Sequence, residues 1–214
     1  MIQIAVILLA YFVGSIPTGL VVGRVVGGVD IRKQGSGNPG VTNVFRVLGW
    51  KPAVVVAVVD ISKGYIAAAT LGSLSGETSD LMPVLAGAAA VLGHTYTVFA
   101  GFRGGKGIAT LTGMLIALYP AAIPVCLLVF TLAVVTTGYV SVASLGAGVT
   151  LPLVVFVLPG LGFQEAGLAL KTFSLTIPLF VLFTHRTNVR RLVSGTENRF
   201  EKAMILRRAR KKPE

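Results

Sequence analysis

Long stretches of apolar residues, almost free of charge, make up most of this chain. A transmembrane helix needs roughly 20 mostly apolar residues. Stretches of about this length lie at 2–24, 52–72, 81–100, 107–123, 122–138, 141–159 and 171–184. Only 13% of the residues are charged, against about 25% in a typical soluble domain. The sequence therefore predicts an all-α, polytopic integral membrane helix bundle of about seven transmembrane helices, with five or six as the alternative count.

The charges between these stretches set the predicted orientation. Lysine and arginine are concentrated at 24–51, at 101–107 and in the tail, whereas the connections 73–80 and 160–170 contain neither. Basic loops of membrane proteins face the cytoplasm. With seven spans, the N-terminus is predicted outside and the C-terminus in the cytoplasm.

Residues 1–214 are predicted to form a single membrane-embedded domain with a basic cytoplasmic tail at about 199–214. Ten of the nineteen lysines and arginines lie at 185–214, where they favour contact with anionic membrane lipid. No nucleic-acid partner is expected, because Phe200 is the only aromatic residue of the tail and no binding motif accompanies it. The residues identify no protein partner.

The segment GSGNPGVTN at 35–43 matches the dinucleotide-binding pattern G-x-G-x-x-G. That pattern requires a strand before it and an acidic residue about 20 positions later, and the acidic residue at that distance, Asp60, lies within an apolar stretch. Glycines nevertheless let backbone N–H groups approach an anion. The alternative is a flexible loop between helices. The candidate ligand-binding residues of this segment and of the residues just after it are Gly35, Ser36, Gly37, Asn38, Asn43 and Arg46.

Two further segments carry polar donors on the same predicted side of the membrane. In GHTYTVFAGFRGGKGIAT (93–110), glycines and a lysine precede a helix, which is a favourable phosphate site; its candidates are Gly104, Gly105, Lys106 and Gly107. It is not a Walker A loop, because Gly107 replaces the Ser or Thr that would hold magnesium. In HRTNVRRLVSGTEN (185–198), His185, Asn188 and Arg191 are three residues apart and share a helix face.

Several kinds of chemistry are disfavoured. These loops contain no carboxylate pair, and the chain has no His-x-x-x-His or Cys-x-x-Cys spacing, so no metal and no cofactor are expected. The polar set suits a reaction with a good leaving group, such as phosphate departing from an acyl phosphate, in which the protein positions two anions. Asp60 and Lys63, within a span, form either a structural ion pair or a support for the site. His94 either orients the second loop or reacts.

Taken together, these segments resemble the signature motifs of the acyl-phosphate:glycerol-3-phosphate acyltransferase (PlsY) family of bacterial inner membranes. GSIPTG (14–19) and YVSVAS (139–144) add to the similarity, which extends over essentially the whole chain in the family's order. The resemblance implies a seven-helix bundle with a cytoplasmic active site. It also implies acyl transfer from acyl phosphate to the 1-hydroxyl of sn-glycerol 3-phosphate, giving lysophosphatidic acid and phosphate for phospholipid synthesis.

The resemblance also assigns roles to particular residues. The expected catalytic set is Ser36, Arg46, Lys106, His185 and Asn188. Ser141 joins the glycines and asparagines of the loops as an expected substrate-binding residue, and Glu197 is expected to be structural. The proton acceptor stays open between His185 and the substrate phosphate. The chain departs from the family pattern at Val41, Thr97 and Thr187, and Thr97 is expected to loosen the approach to the second loop.

Two other functions fit part of the pattern. An organic-phosphate transporter would line its path with similar basic loops, but it would need polar groups through the whole membrane, where only Asp60 and Lys63 lie deep. A membrane scaffold docked on lipid through its tail would leave the loop glycines without a purpose. An acyltransferase needs no polar path through the membrane, and it gives the loop glycines a role in holding phosphate.

Overall fold

The computed structural model describes residues 1–75 and 79–200, and every regular element in these ranges is helical. The chain divides into two compact units, Met1–Pro120 and Ala121–Glu214. The single domain predicted for residues 1–214 stays a prediction. Within the predicted tail, residues 201–214 lie outside the described part of the chain.

The first unit contains six α-helices: α1 (Ile2–Ser15), α2 (Thr18–Gly27), α3 (Val41–Leu48), α4 (Trp50–Ile66), α5 (Leu81–Thr95) and α6 (Ile108–Leu118). A π-helical turn at Ala67–Leu71 continues α4. The break between α1 and α2 falls at Ile16 and Pro17, because proline lacks the N–H that a continuous helix would need. At this break, the backbone carbonyl of Ile16 accepts a hydrogen bond from the buried Lys63 side chain.

Two glycines allow α4 and α6 to pack closely. A Cβ on Gly64 would lie 1.8 Å from the carbonyl oxygen of Thr110, and one on Gly113 would lie 1.8 Å from that of Ile61. Close approach through small residues is a common way for membrane helices to associate, since lipid provides no hydrophobic drive between them. This contact fixes the start of α6, and with it the glycine loop that precedes α6.

The second unit contains α7 (Ala122–Thr137), α8 (Val140–Val157), α9 (Leu168–Thr184) and the short α10 (Arg186–Val193). α9 and α10 are bent by 59° at His185. The predicted last stretch, 171–184, thus extends back to Leu168 in the structure, and His185 lies at the corner where the chain turns.

The number of spans is only partly settled by helix length. Four helical segments of the described chain are long and apolar enough to cross a membrane, and a fifth is added if the bent pair is one span. α6 and α7 are apolar but shorter. α6 ends at Leu118 because Tyr119 precedes a proline and leaves the helical region, at φ −149 and ψ 66. The count of seven and the orientation of the termini stay predictions.

Large apolar side chains cover the outside of the helices. Examples are Leu8 on α1, Val58 on α4, Leu153 on α8 and Leu179 on α9, which are 52%, 58%, 62% and 71% exposed. Helices that are apolar on all faces are typical of a lipid environment, in which the backbone polar groups are satisfied within each helix. The protein is an integral membrane protein.

Candidate active site

The first glycine loop is held in shape by Asn43, the third residue of α3. Its amide oxygen accepts from the Ser36 N–H at 2.8 Å, and its amide nitrogen donates to the carbonyls of Ile31 at 3.1 Å and Gln34 at 2.9 Å. Gly35, at φ 56, lies so close that a Cβ would be 2.3 Å from the Asn43 amide oxygen. Asn43 is 1% exposed. It therefore supports the loop from inside.

Ser36 and Asn38 are the side chains of this loop that retain donors for a ligand. The Ser36 hydroxyl makes no hydrogen bond in the described part of the chain. The amide oxygen of Asn38 accepts from the Gly40 N–H at 2.9 Å, which leaves the amide nitrogen as a donor. Arg46 lies half-buried in the last turn of α3.

The second glycine loop folds back onto the end of α5. The Gly104 N–H donates to the Thr95 carbonyl at 3.0 Å, and the Gly105 N–H donates to the His94 carbonyl at 3.1 Å. A Cβ on Gly104 would lie 1.9 Å from the His94 carbonyl oxygen. The loop then enters α6 through Gly107, at φ 80, with Lys106 half-buried between the glycines. The N–H groups of the first turn of α6 have no partner within the helix and can receive an anion.

A chain of buried charged groups lies behind this loop. Lys63 Nζ donates to Asp60 Oδ1 at 2.6 Å, to Thr18 Oγ1 at 2.5 Å and to the Ile16 carbonyl at 2.6 Å. Asp60 Oδ1 is also 3.7 Å from His94 Nδ1. The predicted ion pair is thus present. Lys63 supplies a donor to the Ile16 carbonyl at the helix break before Pro17. Asp60 connects the pair to His94 at the end of α5.

His94 contacts the second loop through its ring as well as its carbonyl. A Cβ on Gly105 would lie 2.2 Å from His94 Nε2. This packing agrees with the orienting role considered for His94. Thr97 donates a hydrogen bond to the Ser15 carbonyl and is 2% exposed. The expectation that Thr97 loosens the approach to the loop is therefore wrong, because its hydroxyl ties that approach to the end of α1.

In the second unit, Glu197 joins three of the polar side chains singled out in the sequence. Its Oε1 accepts from Ser141 Oγ at 3.0 Å and from Asn188 Nδ2 at 2.6 Å, and its Oε2 accepts from Arg191 Nε at 2.7 Å. Asn188 and Arg191 thus share one face of α10, as their spacing predicts. Burial raises the pKa of the Glu197 carboxyl, but these three hydrogen bonds outweigh burial and the pKa lies below its ordinary value.

His185 has a defined tautomer. Its Nδ1 lies 2.9 Å from the Val181 carbonyl oxygen, which can only accept a hydrogen bond, so Nδ1 carries the proton. In the neutral ring, the lone pair is then on Nε2. His185 is 2% exposed, and its position at the bend between α9 and α10 is fixed by the same contact.

A polar cavity of about 380 Å³ lies between the first and second glycine loops. We call it the basic cavity; its lining residues are Asp30, Arg32, Lys33, Gly37, Asn38, Pro39, Arg103 and Gly104. Arg32 forms a bidentate ion pair with Asp30, with nitrogen–oxygen distances of 3.0 and 2.8 Å. Hydrogen bonds from the side chain and the backbone N–H of Arg32 hold the pKa of Asp30 at about 2, well below 3.8.

Within residues 1–75 and 79–200, no group of three or more His, Cys, Asp or Glu side chains is placed to hold a metal ion. The predicted catalytic side chains are one hydroxyl (Ser36), one amide (Asn188), two cations (Arg46 and Lys106) and the imidazole of His185. Such a set can bind and neutralise phosphate groups and can polarise a carbonyl oxygen.

The sequence profile of the glycerol-3-phosphate acyltransferase family matches residues 4–195. The chain belongs to this family. A glycerol-3-phosphate acyltransferase of Pelodictyon phaeoclathratiforme is 41% identical, over 92% of this chain and 95% of that protein. The enzyme of the same name from Chlorobaculum parvum is 42% identical over the same shares. The chain is an enzyme, an acyltransferase of phospholipid synthesis.

Solved structures agree with this assignment. The chain is similar to PlsY (YgiH), an integral membrane glycerol 3-phosphate acyltransferase, in its glycerol 3-phosphate form: the TM-score is 0.84, with 36% identity over 95% of this chain and 98% of that one. The lysophosphatidic acid form gives a TM-score of 0.83 at the same identity and coverage.

In this acyltransferase, the predicted site residues are distributed over both units. In the first unit, the basic cavity brings Gly37 and Asn38 together with Gly104, whereas Ser36, Arg46 and Lys106 are not among its lining residues. In the second unit, Ser141 and Asn188 meet on Glu197. Their roles toward substrates stay predictions.

Two cations that line the basic cavity, Lys33 and Arg103, are not predicted as site residues from the sequence. The sequence pattern marks both only as basic loop residues, whereas the structure places them on one cavity. The available signal is weak: Arg103 directly precedes the glycine pair of the second loop, and Lys33 lies two positions before Gly35, the first residue of the first loop. Their proximity depends on how the two loops fold back, which no local pattern records.

Glu197→Gln is expected to destabilise this acyltransferase near neutral pH by about 1–3 kcal/mol, because three donors lose an ionised acceptor. The folded state lowers the pKa of Glu197, so its stabilisation is present above the ordinary value of 4.5 and is lost as pH falls through the lower folded value. Thermal unfolding in detergent is the measurement. The variant should lose part of the acid sensitivity of the wild type below about pH 4.5.

Glu165→Gln, in the exposed connection between α8 and α9, is the matched control and should unfold like the wild type at each pH. Equal unfolding temperatures for Glu197→Gln and Glu165→Gln near neutral pH would contradict the role of Glu197 as the acceptor that orders this segment.

Proposed function

We propose that this acyltransferase moves a fatty acyl group from acyl phosphate to the 1-hydroxyl of sn-glycerol 3-phosphate, yielding lysophosphatidic acid and inorganic phosphate. One observation carries the proposal: a relative 36% identical over 95% of this chain has been solved in a glycerol 3-phosphate form and in a lysophosphatidic acid form, and these compounds are the acceptor and the product of this reaction. The enzyme acts at the cytoplasmic face of a bacterial inner membrane.

The reaction requires little from the protein beyond positioning and charge neutralisation. The glycerol oxygen attacks the acyl carbonyl carbon, and the tetrahedral intermediate collapses when the bond from this carbon to the phosphate oxygen breaks. Phosphate leaves with the bonding electron pair. The hydroxyl proton passes to a lone pair, either on the phosphate of the substrate or on His185 Nε2. The absence of a carboxylate pair in the loop sequences suits this chemistry, since the leaving group is already good.

The donors of the first unit are assigned to the anions. Arg46 and Lys106 neutralise phosphate charge, since guanidinium and ammonium groups form strong charge-assisted hydrogen bonds with phosphate oxygens. The backbone N–H groups of Ser36, Gly104 and Gly105 already donate within the protein. The developing oxyanion is therefore assigned to the Ser36 hydroxyl and to the first-turn N–H groups of α6.

The donors of the second unit are assigned to the acceptor alcohol. His185, held through Nδ1, is assigned with Asn188 to orient the hydroxyl, and Asn188 and Ser141 are held in place by Glu197. The two rival functions make a different prediction. A transporter or a scaffold with the same loops would bind phosphate compounds but would break no bond.

The test is an assay of the purified full chain with palmitoyl phosphate and glycerol 3-phosphate. We expect one inorganic phosphate released for each lysophosphatidic acid formed, and neither product when either substrate is omitted. Palmitoyl-CoA in place of palmitoyl phosphate should give no product. Equal product from both donors would overturn the acyl-phosphate assignment, and an absence of phosphate release from the folded protein would overturn acyl transfer itself.

A further inference from the structure

The segment GSIPTG (14–19), where α1 ends and α2 begins, contacts the first glycine loop and the approach to the second. A Cβ on Gly19 would lie 1.8 Å from the Pro39 carbonyl oxygen, so the start of α2 packs directly on the first loop. Thr97, just before the second loop, donates a hydrogen bond to the Ser15 carbonyl. A displacement of this helix break would therefore move both loops.

The helix break and the two loops also enclose one small cavity. Its lining includes Pro17 and Thr18 of the break, Pro39 of the first loop, and Gly104 and Gly105 of the second. The cavity volume is about 10 Å³, which is room for about one water molecule. Because close-packed interiors transmit strain, the three segments shift together.

Lys63, on α4, holds the helix break by directed hydrogen bonds. A lysine ammonium has three donors and no acceptor, and each donor of Lys63 Nζ has a partner. These partners are the Ile16 carbonyl at 2.6 Å, Thr18 Oγ1 at 2.5 Å and Asp60 Oδ1 at 2.6 Å. The position of the break relative to α4 is thereby defined.

Asp60 connects the same ion pair to the second loop. Its Oδ1 lies 3.7 Å from His94 Nδ1, and the His94 carbonyl accepts from the Gly105 N–H at 3.1 Å. A Cβ on Gly104 would lie 1.9 Å from that carbonyl oxygen. The pair thus reaches the break through Lys63 and the second loop through Asp60.

Stability alone does not account for a charged pair at this position. Asp60 and Lys63 are 1% and 3% exposed, and charges within a membrane span are costly. Apolar residues of similar volume often fill the place of a buried ion pair with equal or greater stability. Apolar residues would not, however, supply hydrogen bonds of fixed length and direction to two separate segments.

We propose that Asp60 and Lys63 are positioning residues of this acyltransferase, which set the placement of the two glycine loops relative to each other. They act through the helix break on one side and through His94 on the other. The consequence for turnover rests on the proposed function, in which donors beside both loops hold the reacting molecules. A misplacement of about 1 Å then lowers the rate about 10²-fold.

The first test exchanges the whole pair in Asp60→Leu/Lys63→Met, because a single substitution would leave an unpaired buried charge. We expect the double variant to unfold in detergent at or above the wild-type temperature, while kcat with palmitoyl phosphate and glycerol 3-phosphate falls about 10²-fold. A folded double variant with wild-type kcat would overturn the proposal.

The Thr18 variants decide the matter if the double variant does not fold. Thr18→Val removes one acceptor of Lys63 but leaves the ion pair, and it should lower kcat about tenfold. Thr18→Ser keeps the hydroxyl and should recover most of the rate. Thr150→Val is the control, since the Thr150 hydroxyl donates to the Gly146 carbonyl of its own helix, α8. Equal kcat for Thr18→Val and Thr18→Ser would contradict the proposal.

Hydrogen exchange measured by mass spectrometry tests the positioning itself without any turnover. In Asp60→Leu/Lys63→Met and in Thr18→Val, backbone amides of 14–19, 35–40 and 101–107 should exchange about tenfold faster or more, and those of α8 should not change. Faster exchange confined to α4 would mean a local structural role and would overturn the proposal. This result is independent of acyl transfer, so failure of the proposal and failure of the proposed function are distinguishable.

Discussion

Lys106→Ala and Arg46→Ala are each expected to lower kcat/KM with palmitoyl phosphate and glycerol 3-phosphate by about 10²–10³-fold or more, while the protein stays folded. Loss of one preorganised donor from a site of developing charge has effects of this size. Lys106 lies half-buried between two glycines at the entrance to α6, and Arg46 is half-buried in α3. Phosphate release and thermal unfolding are measured on the same preparations.

The conservative variants refine this expectation. Arg46→Lys keeps the charge but loses the planar fork, so it should recover only part of the activity. Lys51→Ala, an exposed cation at the start of α4, is the control and should turn over like the wild type. Rates near the wild-type value for both Lys106→Ala and Arg46→Ala would refute the assignment of these cations to the reaction.

Gly104→Ala is expected to lower kcat/KM about 10²-fold, because the added Cβ would lie 1.9 Å from the His94 carbonyl oxygen and must displace the loop that carries Lys106. Misplacement of a catalytic group by about 1 Å has effects of this order. The same assay and an unfolding measurement check the result. Gly160→Ala, where a Cβ would meet nothing within 4 Å, should be neutral.

Gly105, next to Gly104, gives a sharper test of how the second loop packs on His94. At Gly105 the added Cβ would meet the His94 ring nitrogen at 2.2 Å, which is a side-chain contact. His94→Ala should therefore relieve part of the defect of Gly105→Ala but none of the defect of Gly104→Ala, where the obstacle is backbone. A double-mutant cycle measures this coupling. Equal coupling at both glycines would contradict the packing of the His94 ring on the loop.

The helical segments could be predicted from the sequence because a long apolar run identifies a membrane helix without knowledge of its neighbours. The length of each helix was less predictable. The run 107–123 is interrupted by local breakers, so α6 extends only over Ile108–Leu118. Hydropathy measures the apolar content of a run, whereas glycines and prolines at its ends decide where the helix stops.

Pairing of Asp60 with Lys63 could also be anticipated, since charges three residues apart on a buried helix share a face. Three other features could not: the support of the first loop by Asn43, the tie from Thr97 to Ser15, and the joint position of Lys33 and Arg103 on one cavity. Each depends on which carbonyls and loops the folded backbone brings together over distances that the sequence pattern does not encode.

The most direct test of acyl transfer follows the oxygen of the acceptor. With glycerol 3-phosphate labelled with ¹⁸O at the 1-hydroxyl, attack on the acyl carbon predicts lysophosphatidic acid that keeps the label in its ester and inorganic phosphate that carries none. Mass spectrometry of both products decides. Glycerol bisphosphate together with free palmitate would show attack at phosphorus. Free palmitate with unlabelled phosphate and unchanged glycerol 3-phosphate would show hydrolysis, and either result would contradict the acyl transfer assigned to this chain.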